Sequence, residues 1–342
     1  MPNTRIAILA AFAGLLLAQV PAGPAQAQTT PVKFTLDWKF EGPAAPFLLA
    51  KEKGYFAEEG LAVTIDTAAG SLEPINRVAS GTYDMGFGDI NSLIKFGDQN
   101  PQAALKAVYM VYNKPAFSIV GRKSLGVAAP KDLEGKTLGA PAPDGAYAQW
   151  PIFVEANGID AAKVKIENVG FPVREPMLAQ GAVQAITGFS FSSYINLKAA
   201  GVPADDISVL LMADYGVDLY GNAILVSPAF AKAHPEAVKG FLAAFNKALK
   251  ETIADPAAAV EYVVAANPVA TEATELERLT MAVEQNIVTD ETKANGLGAV
   301  DEKRLASAID QIGLTYQFKA KPQPGAVFDA SFLPDAEARK LP

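Results

Sequence analysis

The 342-residue chain contains no cysteine and a single histidine, His234. These absences exclude disulfides, thiolate catalysis, Cys-rich zinc and iron–sulfur sites, and any cluster that needs two imidazoles. A basic surplus is also missing: 29 Lys and Arg stand against 37 Asp and Glu, a net charge of −8. No stretch gathers enough cations to neutralise a run of phosphates, so nucleic acid is excluded as a partner. No Gly-rich phosphate-cradling loop and no Gly-x-Ser-x-Gly nucleophile elbow occurs. His234 stands in Ala233-His234-Pro235, just before a long predicted helix and away from every polar turn. Asp37, Glu41 and Asp89 could supply paired carboxylates for glycosidase chemistry, but no spacing singles out a pair. The sequence therefore gives no positive sign of catalysis, metal or cofactor, and the expectation is a binding protein, not an enzyme.

What is present is a foldable, apolar chain: 50% hydrophobic and 19% charged, with a length that suits two compact units. The first residues read as an export signal, with a basic start at Met1 to Arg5, an apolar run from Ile6 to Val20, and the small-x-small step Ala25-Gln26-Ala27. The run is shorter than the roughly 20 residues that span a bilayer, and no later stretch is long and apolar enough to do so. Residues 1–27 are expected to be cleaved near Ala27, leaving a soluble product in the periplasm of a double-membraned bacterium.

From residue 32 onward, short β-branched or aromatic runs alternate with helical stretches, which predicts an α/β fold with crossover helices. Ten strands are expected between Val32 and Val226, with helices between them that include Glu175 to Gln180 and Ser193 to Ala200, and after about residue 228 helices dominate. Several strand ends run into turn residues and then a helix, which points backbone N–H groups and the positive end of a helix dipole at the strands' carboxyl edge. Taken singly, each such turn is more often an ordinary helix cap. Together they nominate Trp38, Glu41, Ser71, Asp89, Asn91, Tyr147, Phe189, Ser190 and Tyr220 as ligand-binding residues. Arg174, in Pro172-Val173-Arg174-Glu175, joins them as a possible clamp for a carboxylate or sulfonate, or else as the partner of Glu175 or a nearby Asp.

A family resemblance is carried by specific segments. Asp37-Trp38, followed by Pro46 to Val63 with its Lys53-Gly54-Tyr55-Phe56 and Gly60-Leu61-Ala62-Val63 steps, resembles the opening of bacterial solute-binding proteins for nitrate, sulfonate, taurine and thiamine-pyrimidine precursors. Arg77 to Gly86 is similar to that family's helix-Gly-x-x-Asp-x-Gly step, and Asp132 to Gly139 to the opening of its second lobe. Leu178 to Ala185 continues the likeness, with Gln184 where the family usually has Asp. The likeness covers about residues 32–270.

The resemblance implies a type II periplasmic binding protein fold, with two lobes, a central ligand cleft and two hinge crossovers. It implies lobe 1 at residues 32–121 and 222–342 and lobe 2 at 122–221. It further implies a monomer that hands one small solute to an inner-membrane ABC permease and its ATPase. With Arg174, the carboxylates and the aromatics together, the expected solute is a sulfonate or an aromatic or heterocyclic acid. Thiamine-pyrimidine precursor binding or synthesis is the alternative, as is a periplasmic sensor subunit. In thiamine-pyrimidine members the Asp-Trp motif runs on into Pro-Asn and then a His, whereas here it runs into Lys39-Phe40-Glu41-Gly42-Pro43. The yeast-type pyrimidine-forming enzymes that share the fold rely on His and Cys residues, which this chain all but lacks.

Overall fold

The computed structural model describes residues 29–342, so the expected signal segment lies outside the described residues. Among the described residues ten strands form two five-stranded sheets. The first contains β1 (Thr30–Thr35), β2 (Leu61–Asp66), β3 (Met85–Asp89), β4 (Lys106–Met110) and β10 (Asn222–Val226), in the order β2-β1-β3-β10-β4. The second contains β5 (Phe117–Arg122), β6 (Thr137–Gly139), β7 (Lys165–Glu167), β8 (Ala185–Phe189) and β9 (Ile207–Leu211), in the order β7-β6-β8-β5-β9.

The two sheets repeat one plan. Three strands run parallel, and a fourth position is filled by a strand that runs antiparallel to both neighbours: β10 in the first sheet and β5 in the second. Those two strands are the ones that follow the crossings, from β4 to β5 and from β9 to β10. Because β5 pairs with β8 and β9, the first crossing lies between Met110 and Phe117, earlier than the 121/122 boundary read from the sequence. The central strands β3 and β10 are buried on both faces, whereas the edge strand β2 alternates buried and exposed. Helices cover both faces of a mixed sheet and leave only its edge half-solvated.

The helices read from the sequence are present, with two informative shifts. The helix expected from Glu175 starts at Phe171, because Pro172 falls in the first turn, where no intrahelical N–H bond is lost. The helix expected from Ser193 starts at Ser190, directly after β8. Gly54 and Gly60, both at positive φ, open and close a one-turn helix at Tyr55–Glu58, which gives the Lys-Gly-Tyr-Phe and Gly-Leu steps a conformational reason. The 20-residue helix Pro235–Ala254 packs Phe241 and Phe245 against Phe34, Phe47 and Phe56, building the largest apolar cluster under the first sheet. No helix among the described residues is long and apolar enough to cross a membrane.

Candidate functional site

Between the two sheets lies a cleft with about 620 Å³ of empty space, its mouth included. Its walls come from the carboxyl ends of strands in both sheets, where side chains of successive βα turns converge. After β1 come Leu36 to Lys39 and Glu41; after β2, Gly70 and Ser71; on β3, Phe87; beyond β4, Tyr112. The facing wall holds Asp144, Phe171, Arg174, Phe189, Phe191 and Ser192.

Six aromatic rings line this space. Trp38 meets Phe171 edge-on across the cleft, ring centres 4.9 Å apart. Tyr112 stands edge-on to Phe87, Phe189 and Phe191 at 5.4, 6.5 and 5.9 Å. The two lobes also touch through Ser192 Oγ, 3.4 Å from Glu41 Oε2, and through Lys95 Nζ, which donates to the Ala148 carbonyl at 2.8 Å. This is a closed cleft.

Its polar groups are mostly carboxylates. Asp37 accepts a hydrogen bond from Asn222 Nδ2 at 2.6 Å, and burial pushes its carboxyl up to about 7. Burial also raises Glu41 and Asp144, the first opposed by Arg278 and the second by Arg174. Asp144 accepts from Thr187 Oγ1 at 2.7 Å and from the Ala146 N–H at 3.1 Å. The Trp38 indole nitrogen is buried beside Glu41 without completing a hydrogen bond.

Arg174 lines the cleft but is only 3% exposed, and its guanidinium is already engaged. Glu175 Oε1 accepts from its Nε and Nη2 at 3.0 and 2.6 Å, Asp144 lies 3.6 Å from Nη1, and the Phe171 ring lies under it at 5.4 Å. Burial works against its charge, and Glu175 and Asp144 more than reverse this, holding it above its usual value.

Of the ten residues nominated from the sequence, Trp38, Glu41, Ser71, Arg174 and Phe189 are brought together around the cleft. The other five lie off its walls. Asp89 turns back to cap its own helix, Ile90–Gln99, accepting from the backbone N–H groups of Asn91 and Ser92. Asn91 is buried between Asp89 and the Tyr220 carbonyl. The Tyr220 hydroxyl donates to Glu291 at 2.6 Å, with Arg304 over its ring. Ser190 pairs with Gln285, and Tyr147 packs on the apolar cluster beneath the cleft. Conversely, Asp37, Phe87, Tyr112, Asp144, Phe171, Phe191 and Ser192 line the cleft without having been nominated. Asp144 and Asp37 stand in the same kind of strand-end turn as the nominated residues, so that signal was present for them. For Tyr112 and Phe87 the sequence offers none beyond their aromaticity. Among the described residues no cluster of His, Cys, Asp and Glu is arranged to hold a metal ion.

Residues 43–259 match the family described as NMT1/THI5 like. The chain belongs to this family. It is 26% identical over 238 residues to the riboflavin-binding protein RibY of Chloroflexus aurantiacus, covering 69% of this chain and 66% of that protein. It is 30% identical over 234 residues to the formylaminopyrimidine-binding protein of Halalkalibacterium halodurans, covering 66% and 67%. It is also 26% identical over 251 residues to a 4-amino-5-hydroxymethyl-2-methylpyrimidine phosphate synthase of Aspergillus parasiticus, covering 70% and 72%. The chain thus spans about two thirds of the length of these relatives, and the family includes both binding proteins and enzymes. Among solved structures, the periplasmic aliphatic sulphonate binding protein SsuA from Escherichia coli superposes with a TM-score of 0.69 at 14% identity, over 86% of this chain and 91% of that one. The two-lobed architecture is the periplasmic binding protein fold.

Proposed function

We propose that the chain is the solute-binding component of an ATP-driven importer and that it captures a flat, nitrogen-bearing heterocycle by closing its lobes, without turnover. The observation that carries this reading is the make-up of the cleft: six aromatic rings and three carboxylates, with Arg174 already neutralised by Glu175 and Asp144. A flat solute stacks on such rings, and its N–H groups donate to Asp37, Glu41 or Asp144. A nitrate or sulfonate would meet no uncommitted buried cation among the described residues, because Arg174 is held by Glu175 and Asp144 and Arg278 by Glu41 and Glu275, while Lys39, which also lines the cleft, is exposed; this ranks heterocycles ahead of sulfonates. Relatives named for riboflavin and formylaminopyrimidine support the same class.

Binding without chemistry is favoured over synthesis because the one histidine, His234, is exposed where the Pro235–Ala254 helix begins and does not line the cleft. On this reading the chain works as a monomer in the periplasm after loss of residues 1–27, and delivers its solute to an inner-membrane permease driven by its ATPase. The two sheets with their surrounding helices are the lobes, and the segments around Asn113 to Ala116 and Gly216 to Gly221 are the hinges.

The test is mass spectrometry of small molecules released by denaturing the purified protein, followed by thermal melts with riboflavin, formylaminopyrimidine, taurine and nitrate as probes. Stabilisation by a heterocycle is expected, about 2.7 kcal/mol at a hundredfold excess over Kd. Stabilisation by taurine or nitrate alone would overturn the solute class, and steady product formation would overturn the non-enzymatic reading.

A further inference from the structure

The segment from Glu272 to Ile287, a helix ending in a π-helical turn, lies beyond the residues that match the family and crosses from one lobe to the other. Toward the first lobe, Glu275 Oε2 accepts the Gly42 N–H at 2.6 Å, and Arg278 Nη1 lies 3.2 Å from Glu41 Oε2 in the cleft wall. Toward the second lobe, Arg278 Nη2 donates to Asn196 Oδ1 at 3.3 Å, Glu277 pairs with Lys198 at 2.5 Å, and Gln285 accepts from Ser190 at 3.3 Å. At its end Asn286 bonds both the N–H and the carbonyl of Lys114, on the first crossing between the sheets.

Arg278 is the node of this arrangement. It is 3% exposed, and Glu275 fixes its Nε at 3.1 Å. Its Nη1 is buried with no completed hydrogen bond, so its hold on Glu41, within the first lobe, is electrostatic, while its Nη2 reaches across to Asn196 of the second lobe and depends on the two lobes being in register. The geometry points to a strap: residues 272–287 latch the lobes in the closed state, and Arg278 is the positioning residue that ties the latch to the Glu41 carboxylate in the cleft wall. The link to Glu41 rests on the cleft being the solute site; the latch itself is read without solute.

The absence of cysteine lets spin labels be placed at Glu52→Cys in the first lobe and Lys165→Cys in the second with no background. Pulsed EPR of the full, ligand-free chain then reads the interlobe distance. The parent is expected to show a short-distance population that moves to longer distance in Arg278→Met and in the Asn196→Ala, Lys198→Ala pair, with partial retention in Arg278→Lys. The Asn196 and Lys198 changes leave Arg278, Glu41 and Glu275 intact, so they decide the matter if Arg278→Met does not fold. Variant distributions identical to the parent's, or a parent already at the long distance, would overturn the strap. Failure of every probe solute to bind would overturn the proposed function and leave this measurement standing.

Discussion

Asp37 Oδ2 and Asn222 Nδ2 lie 2.6 Å apart, a hydrogen bond that joins the turn after β1 to the first residue of β10 at the floor of the cleft. The backbone N–H of Asp37 and the Asn222 amide together do not replace the water lost on burial, and the Glu41 and Asp89 carboxylates stand near enough to add repulsion.

A pH dependence of stability follows. Asp37 titrates at about 7 in the folded chain, against roughly 3.9 when unfolded. Below pH ~4 both states hold the proton and the group contributes no difference. Between pH ~4 and ~7 only the folded state holds it, so stability falls as pH rises, by up to about 1.4 kcal/mol per unit, and levels off above the folded value. Glu41, Asp89 and Asp144 are raised too and act in the same direction. Asp37→Asn keeps an oxygen to accept from Asn222 and removes the titration, so melts from pH 4.5 to 7.5 should decline less steeply in the variant. Parallel declines would remove Asp37 as a source.

Arg174 gives a prediction about folding as well as binding. Replacing it by Ala leaves Glu175 and Asp144 buried without their cation, which should cost about 3–5 kcal/mol in urea unfolding. A loss under roughly 1 kcal/mol, the range of an exposed pair, would show that the guanidinium is solvated in solution.

How far the sequence could be read is shown by particular elements. Strands were legible where the pattern is plain: β10 is a continuous apolar run from Ala223 to Val226, and β2 alternates. The helix start at Phe171 was less so, since Pro172 and Pro176 read as breakers, yet the first turn tolerates Pro172 and the helix runs on with Pro176 in its interior. Asp89 and Asp144 show why the site was half legible. Both cap helical turns at strand ends, yet Asp89 spends its oxygens on Asn91 and Ser92, while Asp144 also reaches Thr187 and lines the cleft. Local spacing cannot separate the two; which face of the sheet edge each occupies is decided by long-range packing.

Trp38 and Tyr112 should divide the binding energy unequally. Loss of the Trp38 ring in Trp38→Ala should weaken a flat solute about tenfold or more, since it removes both buried area and stacking. Tyr112→Phe keeps the ring and removes a hydroxyl that burial holds protonated, so the loss should be about 0.5–1.5 kcal/mol if that hydroxyl donates to the solute. Calorimetry with the identified solute measures both, and equal losses would argue against stacking as the main contribution.

Gly70 tests closure itself. It sits in the first lobe at φ +91°, and a Cβ there would lie 2.9 Å from both the Pro143 carbonyl oxygen and the Phe171 ring of the opposing lobe. Neither neighbour is the free end of a flexible chain, so Gly70→Ala should prop the cleft open. The expected result is a larger radius of gyration by scattering and weaker solute binding, with the lobes' secondary structure unchanged. The substitution also adds backbone strain of about 1–2 kcal/mol from the left-handed conformation, which could by itself weaken the protein. Gly81→Ala controls for that: Gly81 has φ +74°, but a Cβ there meets nothing within 4 Å. It should lose similar stability while keeping the parent's compactness and affinity. If the two variants behave alike in scattering and in binding, the contact between Gly70 and the second lobe does not govern closure.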